Sequence, residues 1–140
     1  NTKKSIDISN QLKKTEVEQK TKEQNQLHDN TVKTDIGVLE AALSMYYQNH
    51  NTYPKVGDLN QLVVDNDIRY LPAPPTGGSY GYLTAPTNCE GTKDNPCTSV
   101  SVSGQFSEQT PRGNNIFCWQ SNLSDNRPQE LKSLADCQPI

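Results

Sequence analysis

The chain has 140 residues, a formal net charge of −3 and only 31% hydrophobic residues, a length that fits one domain with an appendage. Residues 1–30 contain six lysines against five acidic residues, and residues 31–140 contain seven basic against eleven acidic residues, a net charge of −4 for that part. An acidic domain lacks a broad basic surface for neutralising phosphates. Nucleic-acid binding through bulk charge is therefore disfavoured.

The first 31 residues are polar and contain neither Gly nor Pro. Their few apolar side chains are Ile6, Ile8, Leu12, Val17 and Leu27. This number is too small for a core. Glu16 and Glu18 each precede a lysine by four residues, a spacing that favours a helix, and a solvated linker is the alternative. We therefore predict residues 1–31 as a polar helical extension or linker, and residues 32–140 as the globular domain.

Apolar residues at steps of four, three, four and three predict an amphipathic helix over residues 32–50. The members of this stripe are Val32, Ile36, Leu39, Leu43 and Tyr46. Asn49, Asn51 and Pro54 then end the helix, and a connector over residues 51–78 follows. We expect the stripe to pack on a sheet formed by the rest of the domain.

Residues 79–140 read as strands and loops. "TSVSVSGQF" alternates between Val100, Val102 and Phe106 on one face and serines on the other, which predicts a half-buried strand. A strand over residues 80–84 precedes it, and "NNIFCWQS" gives a third strand. We predict a short helix that begins at Pro128, carries Leu131 and Leu134 on one face and ends near Asp136. The fold class is α+β, a long N-terminal helix packed on an antiparallel sheet of three or four strands.

The four cysteines are Cys89, Cys97, Cys118 and Cys137. They form no C-x-x-C pair, and both histidines lie far upstream, so the spacing of zinc ligands is absent. An even cysteine count favours disulfides in an oxidising compartment. Of the three pairings, we favour Cys89–Cys97 and Cys118–Cys137 because each closes a short loop.

The residues that carry catalytic or ligand chemistry do not form a recognisable set, so we predict no enzyme, cofactor or metal. A nucleophile pair would have to recruit His50, and Gly77-Gly78 lacks the lysine of a phosphate loop. "DND" at residues 65–67 lacks the glycine and glutamate of a calcium loop, although an ion near Asp125 or Asp136 stays open. Three aromatic residues are interpreted as structural: Tyr80 and Tyr82 in the core, and Trp119 over the disulfide of Cys118.

Several segments together resemble the soluble part of a type IV pilin or pseudopilin. They are "KTDIGVLEAALSMYYQNHNTYP", "DLNQL" and "YLPAPPTGGSYGY" with the strand after it, covering about residues 31–106. The interval from Cys118 to Cys137 resembles the disulfide-bounded C-terminal segment of these subunits. "NTKKSIDISNQL" resembles the polar continuation of a pilin's membrane-inserted helix. We expect that apolar helix to precede Asn1.

The resemblance implies a structural subunit that polymerises through its N-terminal helix. Its implied partners are other pilin subunits, the pilus assembly machinery and a host or surface receptor, and its implied location is the cell surface, with membrane anchoring before assembly. The displayed face would serve adhesion, twitching motility or DNA uptake. A pseudopilin of a type II secretion or competence system is one alternative, and a secreted adhesin or lectin without a filament role is another.

Overall fold

The computed structural model describes residues 2–123 and 127–140 and has the predicted α+β class. Its elements are helix α1 (Thr2–His50), helix α2 (Gln61–Val64), strand β1 (Gly81–Ala85), strand β2 (Ser99–Gln105), strand β3 (Ile116–Gln120), strand β4 (Gln129–Leu131) and a 3-10 helix (Leu134–Asp136). The strands form one antiparallel sheet in the order β1-β2-β3-β4. Each strand therefore pairs with its neighbour in the sequence.

Helix α1 is a single continuous helix of 49 residues, which corresponds to about 73 Å at 1.5 Å per residue. The described residues of the predicted extension are thus helical, and the linker alternative does not describe them. Residues 10–24 are all exposed, and even Leu12 and Val17 retain 61% and 64% of their accessible surface. The front part of α1 therefore has no contact that buries it.

The C-terminal half of α1 lies across β2 and β3. Val32, Ile36, Leu39 and Leu43 are fully buried there, and Tyr46 is 8% exposed. Val100, Val102 and Trp119 meet them from the sheet in the same core cluster. Burial of one large apolar side chain contributes about 1.5–3 kcal/mol, so the contact between α1 and the sheet stabilises the domain substantially.

Strand β2 is buried on both faces, so the prediction of a half-buried strand was wrong. Ser99, Ser101 and Ser103 face away from α1 but are only 2–7% exposed. The C-terminal segment packs on this face at Ser101, whose hydroxyl donates a hydrogen bond to the Cys137 carbonyl at 3.1 Å. The serines fit because a small hydroxyl can satisfy backbone carbonyls in a buried layer.

The predicted C-terminal helix from Pro128 is also wrong. Residues 129–131 form β4, which pairs with β3 through Leu131 and Ile116. The only helical part of this region is the 3-10 turn of three residues, capped by the Ser133 hydroxyl. β3 would otherwise present an unpaired edge, and pairing with residues 129–131 satisfies its backbone groups.

Trp119 does not cover the disulfide of Cys118, contrary to the prediction. Successive side chains in a strand point to opposite faces. Trp119 accordingly joins the core beneath α1, while Cys118 joins a second small cluster with Ile116 and Cys137 on the other face.

Candidate functional site

Helix α1 has a second apolar face on the side away from the sheet. It consists of Leu27, Val38, Ala41 and Met45, which we call the outer stripe. Met45 follows Leu27 by 18 residues and Val38 follows it by 11, which are about five and three helical turns, so these side chains lie above one another. Leu27, Val38 and Met45 are 67%, 40% and 54% exposed. The packing of the sheet on α1 does not use this face.

The outer stripe is exposed because the residues of α1 that contact the sheet lie on the opposite side of the helix. A hydrogen bond fixes the rotation of α1 about its axis, since the Tyr80 hydroxyl donates to the Asp35 carboxylate at 2.5 Å. Burial and this neighbouring carboxylate raise the pKa of Tyr80 above its ordinary value. The tyrosine therefore stays protonated and keeps donating. This bond holds the outer stripe toward solvent.

The Tyr-Pro segment after α1 turns the chain onto the sheet. Asn51 adopts a left-handed conformation with φ of 57° and ends the helix. The Tyr53 N–H then donates to the Cys97 carbonyl at 2.9 Å, and the Cys97 N–H donates to the Thr52 hydroxyl at 2.8 Å. The Tyr82 hydroxyl donates to the Pro54 carbonyl at 2.6 Å. The corner is thus fixed to both β1 and the loop before β2.

Two disulfides close loops of the domain, one in the core cluster beneath α1 and one in the small cluster on the other face of the sheet. Cys89 bonds Cys97, and Cys118 bonds Cys137, which is the pairing that short loop closure favoured. Gly91, inside the first loop, has φ of 68°, and a Cβ there would lie 2.8 Å from the Lys55 amide nitrogen. This loop therefore packs directly on the Tyr-Pro corner and holds the end of α1.

An acidic pair lies beside the end of α1. His50 stacks on Tyr46 with ring centroids 4.2 Å apart, and its Nε2 is 3.0 Å from the Asp65 carboxylate. The hydrogen bond from His50 holds the pKa of Asp65 below its usual value, whereas burial raises the pKa of Asp67. Within residues 2–123 and 127–140, no three acidic, His or Cys side chains converge as a metal site would require. The predicted alternative ion position at Asp125 lies outside the described residues.

A cleft of about 440 Å³ opens between α1, residues 74–79 and the ends of β1 and β2. We call it the His28 cleft. The His28 ring is 2.9 Å from the Asp29 carboxylate through Nδ1, and its Nε2 is 3.5 Å from the Thr76 hydroxyl. Asp29 also accepts a hydrogen bond from the Ser107 N–H at 2.7 Å. These contacts orient the imidazole toward the cleft.

Carboxylate, imidazole and hydroxyl follow one another in this cleft in the order of a nucleophile triad. Activation of a hydroxyl by a base requires a separation of about 2.6–3.2 Å, and the distance from His28 to Thr76 is longer. The arrangement can hold a polar ligand without any bond being made or broken. Sequence reasoning missed this site because Thr76 contacts His28 from 48 residues away and Ser107 contacts Asp29 from 78 residues away.

The remaining predicted residues have structural surroundings. Tyr80 is 7% exposed and belongs to the core cluster, and Tyr82 packs against that cluster with its hydroxyl bonded to the Pro54 carbonyl. Gly77 and Gly78 have positive φ values of 96° and 79° and form a turn before β1. Their role is conformational.

No protein-family model, no curated protein and no solved structure matches this chain. Among residues 2–123 and 127–140, no helix combines the length and the apolar character needed to cross a bilayer.

Proposed function

We propose that the chain is a structural subunit of a type IV pilus. It polymerises through its N-terminal helix, with other pilin subunits and the pilus assembly machinery as partners. Its sheet and disulfide loops are displayed at the cell surface for adhesion, twitching motility or DNA uptake, toward a host or surface receptor. Before assembly the subunit is anchored in the membrane.

The observation that carries this proposal is the presence of two apolar faces on one long helix. The inner face, with Ile36 and Leu39, is fully buried against the sheet. The outer stripe, with Val38 and Met45, is left in water. Exposed apolar side chains aligned along a helix favour contact with another helix.

The projecting front of α1 supports the same proposal. Residues 10–24 are exposed and strongly polar, and an isolated helix of this length is marginal in water. Contacts with neighbouring subunits would stabilise it. The lysines and glutamates along this segment supply both signs of charge for pairing between copies of the chain.

Immunogold labelling of the producing cells tests the proposal. Antibodies against the domain should decorate long surface fibres, and cells that lack the gene should have none. Short periplasmic fibres with a defect in protein export would favour the pseudopilin alternative. Purely soluble secreted protein, with no labelled fibre on or in the cell, would contradict both filament functions and favour a secreted binding module.

A further inference from the structure

The His28 cleft has the composition of a binding site for a small neutral ligand. Fourteen residues line it, and none of them is Lys, Arg, Asp or Glu. The Asp29 carboxylate stands behind His28 and is engaged by His28 and Ser107. A charged ligand would therefore find no counterion in the cleft and would lose hydration on binding. Its volume lies within the ordinary range of about 300–1,000 Å³ for ligand pockets.

Hydroxyl and imidazole groups that can still accept or donate hydrogen bonds face this space. Ser103 is only 7% exposed and lines the cleft. Ser103 Oγ packs against Gly81, where a Cβ would come within 2.2 Å of it, so a side chain at position 81 would displace the hydroxyl. A serine hydroxyl can both donate and accept a hydrogen bond, so Ser103 adds an uncharged polar group to the lining.

His28 and Thr76 supply the second polar group of the cleft. In a neutral ring that donates from Nδ1 to Asp29, Nε2 carries the acceptor lone pair. Its distance of 3.5 Å from the Thr76 hydroxyl is at the long limit for a hydrogen bond. Both atoms therefore retain capacity for a ligand hydroxyl placed between them.

Apolar surface completes the lining. Phe106 and Ile116, which are 5% and 6% exposed, line the cleft together with Pro74 and Leu134. A sugar ring has one face of C–H groups and a rim of hydroxyls, so it matches a cleft that combines apolar walls with uncharged hydrogen-bonding groups. We propose that the His28 cleft binds a neutral saccharide residue. This inference does not rest on the filament function.

Backbone NMR titration of the purified protein with the methyl glycosides of glucose, galactose and mannose tests the proposal. At least one glycoside should give saturable shifts in the amides of Thr76, Gly77, Ser103 and Ser107. Thr76→Val and Ser103→Ala should each weaken binding about fivefold, the equivalent of one hydrogen bond. Thr34→Val, which removes an exposed hydroxyl from α1 outside the cleft, should leave the affinity unchanged.

Glucuronic acid and glucosamine serve as anionic and cationic comparisons of similar size, and both should bind more weakly than the best neutral glycoside. Absence of saturable shifts with all three glycosides would overturn the proposal. Equal affinity in the wild type, Thr76→Val and Ser103→Ala would also overturn it, as would tighter binding of either charged sugar. The titration of the wild-type domain decides the main point even where a variant fails to fold.

Discussion

Gly104 of β2 lies so close to Val32 of α1 that a Cβ on Gly104 would be 2.6 Å from Val32 Cγ1 and 3.1 Å from the Tyr80 ring. We expect Gly104→Ala to lower the free energy of unfolding by about 1–3 kcal/mol, because the added methyl must displace a fully buried side chain. Chemical denaturation of the isolated domain measures this. Gly37→Ala is the control, since nothing lies within 4 Å of its added Cβ and helix propensity should raise stability by up to about 1 kcal/mol. Equal stability of the wild type and Gly104→Ala would contradict the close contact.

The buried stripe should be far more sensitive to truncation than the outer stripe. Leu39→Ala and Leu43→Ala each remove a fully buried side chain and should cost about 2–5 kcal/mol. Met45→Ala on the same helix should change stability by no more than about 0.5 kcal/mol, since Met45 is 54% exposed. Thermal unfolding followed by circular dichroism compares the three variants. Similar losses for Leu39→Ala and Met45→Ala would mean that α1 is rotated on the sheet.

Removal of the second disulfide should release the segment that packs on the serine face of β2. The double variant Cys118→Ser, Cys137→Ser should lower the free energy of unfolding by about 2–4 kcal/mol, because the disulfide no longer restricts the unfolded chain. It should also speed hydrogen exchange at the backbone near Gln120, whose side chain now donates to the Gln138 carbonyl at 2.7 Å. The double variant Cys89→Ser, Cys97→Ser should instead speed hydrogen exchange at the Tyr-Pro corner. Non-reducing peptide mapping that linked Cys89 to Cys118 would refute the pairing.

Asp65 and Asp67 should affect the acid dependence of stability with opposite signs. The hydrogen bond from His50 lowers the pKa of Asp65 in the folded state. Ionised Asp65 therefore stabilises the fold above its unfolded-state pKa, and this stabilisation is lost as pH falls through its folded-state pKa. Burial raises the folded pKa of Asp67, so stability is gained as pH falls through that value.

We therefore expect Asp65→Asn to lower Tm at neutral pH and to reduce the loss of stability in acid. Asp67→Asn should raise Tm at neutral pH, because Asp67 Oδ2 is buried without a partner among the described residues. Tm measured from neutral to strongly acidic pH checks both variants. A shift of the same sign for both substitutions at neutral pH would contradict the assignment.

Local sequence patterns predicted the helix and its buried face well. The steps between Val32 and Tyr46 fit only a helix, and the requirement for a partner layer indicated the sheet. The outer stripe went unnoticed because it becomes visible only after the buried face is fixed. Leu27, Val38 and Met45 alone are too widely spaced to indicate a separate face.

Contacts between residues distant in the sequence explain why the predictions for the C-terminal helix and for β2 were wrong. Leu131 and Leu134 have a spacing that suits a helix. Residues 129–131 nevertheless form a strand, because they pair with the free edge of β3. Alternation in β2 correctly separated Val100 from Ser101, yet it could not show that Cys137 packs on the serine face and bonds Ser101 there. The His28 cleft likewise depends on residues brought together by the fold.

The most direct measurement of the central claim is the amount of this chain in fibres sheared from producing cells that carry the double variant Val38→Asp and Met45→Asp. Two carboxylates in the outer stripe should abolish fibres, while the purified domain keeps a Tm close to that of the wild type. Gln26→Asp, which adds a charge to the same helix between the two apolar faces, should preserve the fibres. Wild-type amounts of fibre from the double variant would contradict the account.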